Sequence, residues 1–218
     1  MPTVGAEFVC AMEEVLEVYA RPYNACQPVV NYDESPKQLV SEVRTSYIDK
    51  YGVKHEDSEY EREGAADVVM IVESLKGHRE VLVQEDHTGA TWANNMAYIV
   101  EKMYPDAAKI TIVLDNLSSH KKHQLYKVFD PERARNILNK IEFVYTPKHG
   151  SWLNIAECEL SVLSRQALQQ RFATKEQLAL QVQTWASQRN NQQRTVDWQF
   201  KTADARIKLK SLYPTILN

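Results

Sequence analysis

The chain has 218 residues, of which 44% are hydrophobic and 25% charged, so it is long enough for one globular domain with a sizeable core. No apolar run approaches the ~20 residues that a membrane span needs, and the net charge of −3 argues against a dedicated nucleic-acid-binding module, which is usually basic. The charge does not exclude an enzyme that gathers carboxylates around metal ions, because the metal restores positive charge locally.

The cysteines and the N-terminus predict a cytoplasmic protein. Cys10, Cys26 and Cys158 are odd in number, far apart and in no paired spacing, so we expect reduced thiols and no zinc site. Residues 1–7 lack a basic start followed by an apolar core, so the sequence predicts no signal peptide.

The first elements are a helix and a pair of strands. Residues 8–20 carry one apolar face at helical spacing. Residues 28–36 predict a strand with Asp33 near its end, and Pro36 limits how far that strand runs. We therefore expect residues 38–43 to form the next strand after a turn.

An antiparallel meander is predicted to follow. Residues 49–64 are polar and charged and indicate a loop. Residues 66–73 form a strongly apolar strand, and residues 79–87 alternate between apolar and charged side chains, which is typical of a half-buried strand.

The second half predicts a buried strand between helices. Residues 92–103 predict a helix, which Thr88 can cap. The apolar run 110–114 then reads as a strand buried on both faces, and it ends in Asp115. We place Asp115 at a strand-to-helix turn on the carboxyl edge of the sheet, where open α/β sheets bind their ligands.

The last elements are mainly helical. Residues 120–140 predict a helix broken near 130, and a short strand follows at 141–147. Residues 152–170 carry a buried stripe with Glu157 at its edge, so Glu157 faces the body of the protein; Ser151 is the expected cap. A further helix is predicted at residues 175–189 and a basic helix at residues 202–212.

This order of elements outlines a ribonuclease H-like α/β fold: a mixed sheet of an antiparallel meander plus parallel strands, flanked by helices. We divide the chain into an N-terminal helical lead-in at 1–25, a catalytic domain at 26–190 and a basic C-terminal tail packed on the core at 191–218.

Three carboxylates stand on rigid elements of this fold, namely Asp33, Asp115 and Glu157. Magnesium prefers oxygen ligands and keeps several waters. Two ions roughly 3.5–4 Å apart can activate a nucleophile and stabilise the leaving oxygen of a phosphodiester. Taken singly, Asp33 also fits a turn, Asp115 an ordinary cap and Glu157 a surface glutamate.

Three stretches around these acids resemble motifs of the DDE transposases, in the bacterial insertion-sequence branch of the mariner superfamily. The stretches are Tyr32-Asp33-Glu34-Ser35-Pro36, then Leu114-Asp115-Asn116-Leu117-Ser118-Ser119-His120-Lys121, then Thr146-Pro147-Lys148-His149-Gly150-Ser151-Trp152-Leu153-Asn154-Ile155-Ala156-Glu157. They occur in the family's order, and the similarity runs from about residue 8 to residue 213.

The resemblance implies a catalytic triad of Asp33, Asp115 and Glu157 that binds Mg²⁺ or Mn²⁺. It implies a two-metal endonuclease that nicks double-stranded DNA at transposon ends and transfers the freed 3′-hydroxyl to target DNA. It also implies a homodimer in the bacterial cytoplasm, associated with the nucleoid.

The sequence departs from this family in two places. Ser35 stands where many relatives have a lysine, which removes a DNA contact carried there. Too little sequence precedes Asp33 for the helix-turn-helix domains that read transposon ends, so we expect a separate N-terminal DNA-binding polypeptide as a partner. A split reading frame, a decayed copy and a shortened chain all remain open.

Further candidates for DNA binding flank the acids. Each has a plain alternative: a cap for Asn116, a solvated side chain for His120, a helix surface for Arg165, and core packing for Trp152, which we favour there. The candidates are Asn116, His120, Lys148, His149, Trp152 and Arg165.

Two other functions remain possible on the sequence alone. One is a ribonuclease H-like nuclease of different specificity, and the other is an inactive, DNA-binding transposase remnant without its helix-turn-helix reader. The three motifs in order favour the transposase.

Overall fold

The computed structural model of the protein describes residues 5–43, 47–55 and 59–214. One five-stranded sheet has the order β5-β4-β1-β6-β7, and β2 and β3 form a separate hairpin. The strands are β1 (Val29–Glu42), β2 (Tyr47–Ile48), β3 (Lys54–His55), β4 (Tyr60–Glu73), β5 (His78–Gln84), β6 (Ile110–Leu114) and β7 (Ile141–Tyr145).

The sheet is mixed, as predicted. Strand β4 is antiparallel to both β1 and β5, which makes the meander, whereas β6 is parallel to β1 and β7. All five residues of β6 are buried, so this strand has a helical layer on each side.

The helices cover both faces of the sheet. They are α1 (Ala6–Tyr19), α2 (Gly89–Tyr98), which continues as a π-helical turn (Ile99–Met103), α3 (Leu125–Val128), α4 (Pro131–Lys140), α5 (Ile155–Ala167), α6 (Lys175–Asn191) and α7 (Thr202–Lys208). Within the described parts of the chain, no helix is long and apolar enough to cross a membrane.

Two apolar clusters form the core, one on each face. Strand β4 contributes to both: Val68, Met70 and Val72 pack with α1, α5 and α6, whereas Val69 and Ile71 pack with α2 and α4. This alternation follows from the two-residue period of a strand, and it explains why the apolar run of β4 is unbroken.

The prediction of a turn at Pro36 is wrong, because β1 runs through it to Glu42. Pro36 is paired with Asp67 of β4, and the register shifts only later, between Leu39 and Val40. Pairing with β6 extends only to Asn31, so Pro36 lies where β1 has a single neighbour and a proline is tolerated. Asp33 therefore lies inside a long strand rather than near its end.

Several predicted boundaries also change. The loop at residues 49–64 contains β3 and the start of β4, and its residues 56–58 lie outside the described part. The helix predicted from residue 120 begins only with a 3-10 turn at Lys122–Gln124, but its break is confirmed, since Asp130 caps α4.

The C-terminal segment contacts the first helix. Arg206 of α7 donates to Glu13 of α1 at 2.7 Å, and the Tyr213 hydroxyl donates to the same carboxylate at 2.7 Å. Ala205 of α7 is fully buried. These contacts tie the two ends of the described chain together on one face of the sheet.

Candidate active site

Asp33 and Asp115 are brought side by side by the parallel pairing of β1 and β6. The last paired residues of these strands are Asn31 and Val113. Each aspartate follows its paired residue by two positions, so both project on the same side of the sheet. The loop after Leu114 then leaves the sheet, and this opens an edge beside Asp115.

Helix α5 carries Glu157 to the same edge. Asn154 caps this helix by accepting a hydrogen bond from the Ala156 N–H at 3.1 Å, so the expected cap at Ser151 is wrong. The Asn154 Nδ2 donates to the Tyr32 carbonyl at 3.0 Å and to Asp33 Oδ2 at 3.2 Å. One side chain therefore starts the helix and fixes it to β1.

The three acids share one open cleft of about 500 Å³. Asp33, Asp115 and Glu157 line it together with Arg165, which is exposed. The structure thus gathers residues that are 82 and 42 positions apart in sequence, by subtraction of their numbers.

The carboxylates of the cleft concentrate negative charge, which favours a bound cation. Burial, together with the negative charges of Asp115 and Glu157, outweighs a backbone hydrogen bond that lowers the pKa of Asp33 and raises that pKa to about 7. Glu157 Oε2 is buried and has no hydrogen-bond partner among the described residues. Both features fit carboxylates that bind a cation.

Carboxylate oxygens are the ligand type that Mg²⁺ and Mn²⁺ take. In the described residues, however, no three His, Cys, Asp or Glu side chains converge closely enough to hold an ion as they stand. The donor set therefore fits the metal in chemistry, and the carboxylates would have to draw together around it.

His120 and Glu34 lie behind Asp115. His120 is fully buried, with Nδ1 2.5 Å from Asp115 Oδ1 and Nε2 3.1 Å from Glu34 Oε1. Burial opposes a charge on this ring, but the adjacent carboxylates of Asp115 and Glu34 outweigh it and raise the pKa of His120 to about 9. His120 is therefore neither the solvated side chain nor the phosphate contact considered from the sequence.

A second groove, of about 1020 Å³, adjoins the cleft at Thr146. Lys148, His149 and Trp152 line it, together with Asn116. Trp152 is 41% exposed, so the prediction of core packing is wrong: it lies in a 3-10 turn before α5 begins. Its ring meets Phe200 edge-on with centroids 6.2 Å apart.

The other candidates lie at the surface. Asn116 is exposed and accepts a hydrogen bond from Lys121, so it does not cap a helix. His149 is exposed and has a φ of 65°, a left-handed conformation that non-glycine residues rarely adopt. Such backbone geometry is common at ligand-binding sites.

Sequence reasoning missed two groups that support the site. The sequence does not predict Glu34 as part of the site, because strand alternation points it away from Asp33, and Asn154 belongs to the third motif without a predicted role. An Asn three residues before Glu at the start of an apolar stripe is itself a helix-start signal that identifies Asn154.

This sheet order is the architecture of the ribonuclease H-like proteins. The carboxylates lie on β1, just after β6 and on the late helix α5. The profile of the DDE superfamily endonucleases matches residues 28–179, and the chain belongs to that family. A comparison with curated proteins finds no match.

Solved structures of the Mos1 mariner transposase share the fold. The Mos1 paired-end complex with Mn aligns with a TM-score of 0.57 at 17% identity, over 89% of this chain and 58% of that one. The Mos1 strand transfer complex gives 0.58 at 15% identity, over 83% and 53%. The paired-end complex with Mg gives 0.55 at 15%, over 99% and 64%. This chain thus spans somewhat more than half the length of those proteins.

Proposed function

We propose that the chain is the catalytic domain of a DNA transposase. It hydrolyses phosphodiester bonds at transposon ends and joins the freed 3′-hydroxyl to target DNA. The observation that carries this proposal is the meeting of Asp33, Asp115 and Glu157 in one cleft, from three separate elements of a DDE endonuclease. The structurally similar Mos1 complexes, with paired ends and in strand transfer, support it.

In this proposal Asp33, Asp115 and Glu157 hold two Mg²⁺ or Mn²⁺ ions. When bound, such ions activate the attacking oxygen and stabilise the leaving one. The chain supplies rigid positions: two neighbouring strands carry the aspartates, and Asn154 fixes the helix that carries Glu157. The raised pKa of Asp33 makes ion binding release a proton near neutral pH.

The DNA path runs from the cleft into the adjoining groove. Arg165 in the cleft wall contacts a phosphate, and Lys148 and His149 contact the backbone beyond it. The exposed face of Trp152 stacks on a base. Shared lining at Thr146 supports a continuous path, since one strand can pass from the acids to the tryptophan.

We further propose that the protein works as a homodimer on paired ends with a separate DNA-binding polypeptide. Three Mos1 neighbours are complexes with paired ends, one of them with the left transposon end, and this supports the pairing of DNA. A bacterial insertion sequence remains the expected source.

The test is nicking of supercoiled plasmid by the purified chain in Mn²⁺ or Mg²⁺, beside Asp115→Asn. We expect nicking that needs the metal and falls at least about 100-fold in the variant, beyond the loss typical of a residue behind the ligands. Asp106→Asn removes an equal charge at an exposed position that does not line the cleft, and it serves as the control.

The outcomes separate the alternatives. Nicking that Asp115→Asn retains contradicts the proposed site. Metal-dependent cleavage of an RNA–DNA hybrid in preference to DNA, without strand transfer of a 3′-hydroxyl, indicates a nuclease of different specificity. DNA binding with neither Mn²⁺ binding nor nicking indicates the inactive remnant.

A further inference from the structure

We propose that His120 is a positioning residue that Glu34 holds in place and that, in turn, fixes the carboxylate of Asp115. The inference rests on the proposed function, since it concerns the second acid of that site. The geometry is direct: Nδ1 lies 2.5 Å from Asp115 Oδ1, and Nε2 lies 3.1 Å from Glu34 Oε1. The imidazole thus joins a cleft carboxylate to a carboxylate behind it.

The ring of His120 is fixed by aromatic neighbours. It stacks on Trp92 with centroids 5.8 Å apart and planes 24° apart, and it meets the edge of Tyr32 at 5.6 Å and 85°. The side chains of His120, Trp92 and Tyr32 are all fully buried. A ring enclosed in this way holds one orientation, which a positioning residue requires.

Glu34 is itself held by a buried hydrogen-bond chain. Its Oε1 contacts His120, and its Oε2 accepts a hydrogen bond from the Tyr32 hydroxyl at 2.9 Å. Asn95 donates to that hydroxyl at 3.0 Å and exchanges hydrogen bonds with Gln84 of β5. The chain runs from the cleft into the interior of the sheet, so each member has a partner that fixes it.

Asp115 needs such support because its own backbone gives little. It lies just past β6, and regular helical structure resumes only at Lys122. Its side chain is 35% exposed, so solvent alone would leave its orientation free. With Oδ1 engaged by the ring of His120, Oδ2 is the oxygen left to face the cleft. Fixing one oxygen of a metal-binding carboxylate in advance favours ion binding.

Two substitutions distinguish this role from simple core packing. His120→Asn places an amide nitrogen near the position of Nδ1 and keeps a donor for Asp115. His120→Gln places its amide nitrogen near the position of Nε2 and keeps a donor for Glu34 instead. Both remove the imidazole ring and its aromatic contacts, so both destabilise the fold, and thermal unfolding in chelator measures that common loss.

The decisive readout is Mn²⁺ affinity by calorimetry without DNA, with plasmid nicking alongside. We expect His120→Gln to lose about 10- to 100-fold in affinity, the range typical of residues behind metal ligands, and His120→Asn to lose clearly less. Equal losses that track the fall in thermal stability would overturn the proposal, as would wild-type affinity in His120→Gln.

Failure of the two proposals is distinguishable. A wild-type chain that binds no Mn²⁺ and does not nick refutes the proposed function, and the role of His120 falls with it. A wild-type chain that binds Mn²⁺ and nicks, with His120→Gln unchanged in both, refutes only the role of His120.

Discussion

Asn154 shows how one side chain can set both a helix and a site. Its oxygen caps α5, and its nitrogen bonds the Tyr32 carbonyl and the Asp33 carboxylate. The position of Glu157, one turn into the helix, therefore depends on the same residue that contacts the first acid.

We predict that Asn154→Ser and Asn154→Ala lose nicking to a similar extent but differ in stability. Serine caps a helix as well as asparagine does but is too short to bridge to β1, whereas alanine also loses the cap. Both should fall about 10-fold in kcat for plasmid nicking, as for other residues that orient ligands. In urea denaturation, the free energy of unfolding of Asn154→Ala should be about 1 kcal/mol lower than that of Asn154→Ser. Wild-type nicking by the serine variant would show that the cap alone matters.

The sequence predicts that the three acids lie together, and they do line one cleft, but the contacts of Glu34 and His120 behind them could not be predicted. Strand alternation correctly directs Glu34 away from Asp33, onto the face that α2 covers, where Tyr32 is also buried. What alternation cannot reveal is that the loop after Asp115 brings His120 to that same face. A contact between residues 86 positions apart depends on tertiary packing.

Helix α5 has a second attachment, to β5 and α6, at Glu159. Arg79 is fully buried and binds Glu159 through two hydrogen bonds of 2.7 and 2.9 Å. Arg189 of α6 adds a third at 3.0 Å. Burial alone would raise the pKa of Glu159, but the two arginines reverse this and lower it below its ordinary value. The carboxylate is therefore ionised and paired in the interior.

We predict that Arg79→Met lowers the free energy of unfolding by about 3 kcal/mol or more. The substitution leaves the buried carboxylate of Glu159 with only the partly exposed Arg189 as a partner. The double variant Arg79→Met with Glu159→Met should regain most of that loss, since neither charge is then buried alone. Urea denaturation of both variants and of Glu159→Met completes a double-mutant cycle. A double variant no more stable than Arg79→Met would show that the loss does not come from the unpaired carboxylate of Glu159.

Element boundaries followed local rules wherever tertiary packing agreed with them. Asp130 caps α4 as the break near residue 130 predicted, whereas Pro36 did not end β1, since only one neighbouring strand needs its hydrogen bonds there. Trp152 was predicted to begin the helix and to pack in the core, but Asn154 starts α5 later and leaves the ring 41% exposed. The predicted fold class is correct despite these errors, because the apolar periodicities of β4, β6 and α5 specify the layers.

The net charge of the whole chain is negative, as is that of DNA, its proposed partner. The net charge is −3, and three carboxylates line the cleft that the scissile phosphate would enter. The nearby cations Lys148 and Arg165 are exposed, where water and salt screen them. In the proposed function, a bound divalent metal would therefore have a second role, which is to cancel the repulsion between the cleft and DNA.

We predict that replacing the three acids by amides strengthens DNA binding when no metal is present. Asp33→Asn, Asp115→Asn and Glu157→Gln together change the formal net charge from −3 to −3 + 3 = 0. Each removed charge relieves repulsion with a nearby phosphate, so we expect affinity for a labelled duplex to rise at least about tenfold, which corresponds to 1.4 kcal/mol. Fluorescence anisotropy in chelator at low salt measures this.

The position of the charges, rather than their number, should decide the result. A control with Glu14→Gln, Glu17→Gln and Asp106→Asn makes the same change in net charge at exposed residues outside the cleft. Because exposed charges beyond a Debye length of about 10 Å are screened at 0.1 M salt, the control should gain little there while the cleft variant keeps its advantage. Mn²⁺ should raise the affinity of the wild-type chain and leave that of the cleft variant unchanged. Equal gains in the two variants would mean that DNA responds to the overall charge and does not enter the cleft.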